Sequence, residues 1–210
     1  MRARTLAHHA VQWAAKAARA NLDPAPDDSH AGFEWNAAHA ALFCRPLPAK
    51  EGDVRIGLRI AAYELIIMRG TVVLDTYALE GRKEGMTSVW FDSALRALGL
   101  KPASEVALPY SIPRNAAARE GAVGRSGETE ALQELARWFD AAADMLEEAR
   151  SKLGAAPARA GPVICRPHHF DIATLISPEE GHAERTKSIG VGFSPGDEHY
   201  AQPYAYVSPW

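Results

Sequence analysis

Residues 163–210 read VICRPHHFDIATLISPEEGHAERTKSIGVGFSPGDEHYAQPYAYVSPW, and they hold four of the eight histidines of the chain. Residues 170–176 (FDIATLI) are apolar and rich in β-branched side chains, and they lie between Pro167 and Pro178. That composition predicts a buried strand. Residues 188–193 (SIGVGF) and 204–207 predict two more. Between them, Ser194-Pro195-Gly196-Asp197 has proline where φ is fixed and glycine where φ must be positive, which predicts a type II turn.

The same pattern recurs upstream. Short strands are expected at residues 32–36 and 41–45. Residues 54–60 alternate apolar and polar side chains, as a half-buried strand does. Residues 63–68 and 71–78 read as a hairpin around Arg69-Gly70. No crossover helices separate these strands, so the sheet is expected to be antiparallel.

Helices flank the strands. Residues 5–20 are Ala-rich, with Leu6, Ala10, Trp13, Ala14 and Ala17 on one side and Thr5 as N-cap. His9 falls one turn before Trp13 and reads as a core histidine packed on that indole. Residues 87–98 form a second helix that ends at Gly99. The strongest pattern spans residues 129–153. There Leu132, Leu135, Phe139, Ala142, Leu146, Ala149 and Leu153 recur every three or four positions, over roughly 35 Å of helix. Residues 102–127 are irregular, a candidate lid, and residues 155–161 form a linker. The expected architecture is α+β: one domain over residues 1–210, with an antiparallel sheet packed by one long amphipathic helix and two shorter ones.

Composition narrows the function. The chain is 47% apolar and 23% charged, with a formal net charge of −3. It carries no basic stripe with interleaved aromatics, so no nucleic-acid partner is expected. No stretch reads as a signal peptide or membrane span, so no membrane partner is expected either. Two cysteines, Cys44 and Cys165, make no disulfide framework, and a cytoplasmic location is expected.

The candidate chemistry gathers in residues 163–210. Strand alternation puts His169, Asp171, Ala173 and Leu175 on one face and His168, Phe170 and Ile172 on the other. His169 and Asp171 would then be two ligands of a divalent metal, zinc or iron, with His199 or Glu198 as a third. In a hydrolase or a non-haem oxygenase acting on a small polar substrate, Glu198 would serve as base. Arg166 or Arg185 would hold an anionic group. Gly190 and Gly192 would floor a pocket beside the His/Asp strand, since absent side chains leave space. His168 would line it. The 27–30 run (DDSH) would bring Asp28 and His30 to its edge. The alternative is a non-catalytic ligand-binding or structural module, whose His and Asp residues form a buried hydrogen-bond network.

Several phrases carry a resemblance: HHA at residues 8–10, PDDSH at 26–30, ELARWF at 134–139, PHHFDIATLI at 167–176, SIGVGFSPGD at 188–197 and PYAYVSPW at 203–210. Together they resemble an uncharacterised bacterial protein family, a domain of unknown function. The resemblance covers most of the chain. It implies no established activity, and it implies a further C-terminal portion beyond Trp210.

Overall fold

A computed structural model of the protein describes residues 2–113, 128–152, 160–177 and 188–209. Much of the 102–127 loop and of the 155–161 linker, and Arg185, lie outside the described residues. In chain order the elements are α1 (Arg2–Asn21), β1 (Phe33–Asn36), β2 (Ala41–Cys44), β3 (Arg55–Arg59), β4 (Glu64–Arg69) and β5 (Val72–Ala78). Then follow α2 (Glu84–Ala97), α3 (Thr129–Lys152), β6 (Ile164–Arg166), β7 (Asp171–Ile176), β8 (Ile189–Ser194) and β9 (Tyr204–Pro209).

The nine described strands make one sheet in the order β5-β4-β3-β2-β1-β6-β7-β8-β9. Every pairing is antiparallel. Two fans therefore spread from the centre, each a meander of sequence neighbours that follows a helix. They meet at β1 and β6 through one registered pair, Phe33 opposite Cys165. The fold is α+β, as the absence of crossover helices predicts.

The sheet is two-faced because its strands alternate. Phe33, Leu42, Cys44, Ile56, Leu58, Leu65, Ile67, Cys165 and Ile172 point to the side that the helices cover, and they share one buried core with them. Into that core α1 sends Leu6, Ala10, Val11 and Ala14, and α2 sends Phe91 and Leu95. The stripe of α3 (Leu132, Leu135, Phe139, Ala142, Leu146) is buried as its period predicts. Trp35 Nε1–H of β1 donates to Asp140 Oδ1 of α3 at 2.7 Å, which fixes that helix over the seam between the fans.

The opposite face carries a second, smaller cluster of Ala41, Phe43, Ile66 and Met68. Phe43 stands opposite Gly57 in the register. A Cβ at Gly57 would come within 2.7 Å of the Phe43 ring. Only glycine lets the ring lie down against the sheet there. Arg55 pairs with Glu34, and Arg59 with Glu64, on the same face.

Truncating the α3 stripe removes apolar contacts and leaves a cavity. Leu135→Ala and Leu146→Ala should each cost about 2 to 5 kcal/mol in urea unfolding. A loss near zero for both would mean that the stripe does not hold the helix to the sheet.

Candidate functional site

The residues singled out in the sequence separate into three places. The first is the turn between β6 and β7. Phe170 adopts φ 57°, a left-handed conformation rare for a bulky side chain. Its N–H donates to Arg166 O at 2.8 Å, closing the turn. Burial offsets the strain: Phe170 is 1% exposed, stacked on His8 at 5.2 Å and edge-on to Phe139 at 5.1 Å. The strand thus begins at Asp171, one residue later than expected, and His168 and His169 belong to the turn. Alternation from Asp171 does not reach them. His169 is exposed, His168 is half-buried and Asp171 is buried. The two imidazole centroids are 4.1 Å apart.

Helix α1 holds this turn. The Pro167 carbonyl accepts from His8 Nε2 at 2.9 Å and from Gln12 Nε2 at 2.8 Å. Gln12 also donates to His8 O at 3.0 Å and accepts from the Tyr110 hydroxyl at 2.8 Å. Tyr110 faces His168 at 5.6 Å between centroids, and the Arg19 guanidinium lies 5.5 Å from its ring centroid. Arg19 pairs in turn with Asp28. Asp28 is thereby linked to the PHHF turn through Arg19 and Tyr110. Burial opposes ionisation of Asp27, hydrogen bonding with Ser29 outweighs it, and Arg166 adds a smaller pull, while Asp28 adds a small opposing influence to the burial that lowers His168.

Burial sets the charge states of this network. His8 donates from Nε2, and burial is the main cause that lowers its pKa to about 4, so it is neutral at pH 7. Burial first, then His169, lowers His168. Burial pushes Tyr110 up to about 12. Cys44 and Cys165 are free, buried thiols, and burial raises both, Cys44 to about 12. Neither offers a ready thiolate. The indole partnership expected of His9 does not form. The helix turns its neighbour His8 inward, and His9 meets Pro113 O.

The second place is the open face of the sheet. Arg166 and Asp171 stand opposite each other across β6 and β7. Gly192 sits opposite Ala173 on one side and Tyr206 on the other. The expected trough at Gly192 is filled, because Tyr206 lies across it and donates its hydroxyl to Asp171 Oδ2. A Cβ at Gly192 would stand 2.5 Å from the Tyr206 oxygen and 2.7 Å from Ala173 Cβ. The absent side chain makes room for a neighbour and leaves no pocket. Gly190 is buried in the same strand, opposite Leu175 and Ser208. Asp171 Oδ1 is buried and accepts no hydrogen bond among the described residues.

The third place is the turn after β8. Gly196 has φ 99°, as the type II turn requires. Arg4 of α1 clasps it, donating to Pro195 O at 3.4 Å and Asp197 O at 3.1 Å. Asp197 Oδ1 accepts from the His199 and Tyr200 amides, both at 2.7 Å. Beyond it the side chains of Glu198 and His199 are 81% and 78% exposed. They project from an outer loop, and the expected ligand set of His169, Asp171 and His199 does not converge. Among the described residues no three of His, Cys, Asp or Glu are grouped to hold a metal ion. Nor is any described helix long and apolar enough to cross a membrane.

Tyr110, His8, Gln12 and Tyr206 join the site without a local signal in the sequence. No family model matches the chain, and no curated protein or solved structure matches it.

Two measurements check this geometry. Gly192→Ala should lower stability by about 1 to 3 kcal/mol, since Ala173 cannot move aside and Tyr206 must. An unchanged urea midpoint would contradict the stacking. His8 has a folded pKa below its unfolded value of 6.5, so it contributes stability above pH 6.5 that is lost as pH falls toward 4. The contribution is on the order of 3 kcal/mol. His8→Phe keeps a ring against Phe170 and should flatten the fall in stability between pH 6.5 and 4. Parallel pH profiles for the two proteins would show that His8 is not buried neutral.

Proposed function

We propose that the chain is a non-catalytic ligand-binding module. In this reading the buried network is its rigid base, and Arg166, His168 and His169 are the surface that meets a small polar molecule bearing one acidic group. The observation that carries the reading is the state of Arg166. It is half-buried, it stands across the ladder from Asp171, and its guanidinium hydrogen-bonds none of the described residues. Around it, Asp171 gives one carboxylate oxygen to Tyr206, Asp27 accepts from the Ser29 amide, Asp28 pairs with Arg19, and the Pro167 carbonyl is held by α1. A guanidinium whose donors the described residues leave untaken, close enough to act on His168, suits a carboxylate or phosphate group. The turn is fixed by its hydrogen bonds before any ligand arrives, which lowers the ordering cost of binding.

Other features fit the same reading. The imidazoles offer ring edges to a polar molecule. The net charge of −3 disfavours a nucleic-acid partner, and two buried free thiols suit a reducing compartment such as the cytoplasm.

Calorimetric titration with a panel of small carboxylates and phosphates tests the proposal. At least one should bind, and Arg166→Gln should weaken it about tenfold or more, as loss of a charged hydrogen bond does. Circular dichroism of the variant should match the wild type. If no member binds, or if Arg166→Gln binds equally well, the cluster is structural only.

A further inference from the structure

A second site borders this network, reached through the 27–30 loop. A cleft of about 390 Å³ opens where α1 ends, lined by Leu22, Asp23, His30, Arg45 and Pro46. Its volume is near the lower end of the range of small-ligand sites, roughly 300 to 1,000 Å³. The His30 side chain is only 8% exposed. Its Nδ1 accepts the Ala25 N–H at 3.1 Å, so Nδ1 is unprotonated and the ring proton is on Nε2. The 3.8 Å approach of Nδ1 to Asp28 Oδ1 is therefore no ion pair. Nε2–H donates to none of the described residues, and it is not among the buried polar atoms sealed without a partner. The ring forms part of the cleft lining, and the described residues leave its Nε2–H untaken.

The cleft lining carries both signs of charge. Arg45 follows β2, is exposed, and pairs with no carboxylate among the described residues. Arg45 and the His30 ring put hydrogen-bond donors and a positive charge in the lining. Leu22 and Asp23 follow the C-terminus of α1, where the helix dipole is negative and Asp23 adds a carboxylate. Leu22 and Pro46 add apolar surface. A lining that holds both an arginine and an aspartate suits a molecule that carries both charges better than a simple anion or cation.

We infer that this cleft binds a small dipolar molecule of amino-acid size, its carboxylate toward Arg45 and His30 and its ammonium toward Asp23. A matched set of probes tests it: L-leucine, 4-methylpentanoate, which lacks the ammonium, and isoamylamine, which lacks the carboxylate. In nuclear magnetic resonance titrations L-leucine should shift the His30 ring signals and bind at least tenfold more tightly than either analogue. Arg45→Gln and Asp23→Asn change exposed side chains, so the spectrum of each should remain that of the folded protein. Each should weaken L-leucine about tenfold, and Arg166→Gln should leave its affinity unchanged. The inference is overturned if the His30 signals do not move, if an analogue moves the His30 signals at as low a concentration as L-leucine does, or if Arg45→Gln binds L-leucine as well as the wild type.

Discussion

The Pro167 carbonyl accepts from two side chains one helical turn apart on α1, and the site depends on that double bond. A prolyl carbonyl after a three-residue strand has no ladder partner of its own among the described strands. His8 and Gln12 supply the donors, and in doing so they join the first helix to the β6–β7 turn. The same helix clasps the turn after β8 through Arg4 and the 27–30 loop through Arg19. Three segments far apart in sequence are thus referenced to one rigid rod, and the side chains of the network keep fixed relative positions.

This arrangement explains why a bulky residue can adopt a left-handed conformation. Glycine at position 170 would relieve the backbone but remove the ring that His8 and Phe139 pack against. Burial of a phenylalanine is worth about 1.5 to 3 kcal/mol, comparable with the cost of one sparsely populated backbone conformation. The turn therefore exists because the core pulls Phe170 down, and His168 and His169 are presented outward as a consequence.

Much of this fold is legible in the sequence. The α3 stripe, the hairpin around Gly70 and the strands at 189–194 and 204–209 follow from period and turn chemistry, within a residue or two at most ends. What was not legible has identifiable causes. Strand β6 is three residues long before a proline, too short to show a period. Phe170 breaks the alternation by which His169 would share the face of Asp171, and nothing local marks a phenylalanine for positive φ. Gly192 reads as empty space because its filler, Tyr206, comes from the next strand. Tyr110 and Gln12 lie 98 positions apart. Only the folded sheet makes them neighbours. His8 and His9 differ by one position, and only the rotation of α1 assigns one to the core.

The seam between the two fans has a bearing on how the chain assembles. On either side of it every strand pairs with its neighbour in sequence, so each fan consists of local contacts that close rapidly. The seam joins Phe33 to Cys165, residues separated by more than half the chain, through one registered pair. Closing so long a loop costs only slowly more with length, but it must be done before any contact across it is gained. The topology thus separates two quick local meanders from one slow long-range closure. The contacts that reward that closure, Trp35 with Asp140 and α1 with Pro167, are side-chain bonds to helices. Docking of α1 and α3 against the opposite fans, more than strand pairing, is what makes one sheet of two.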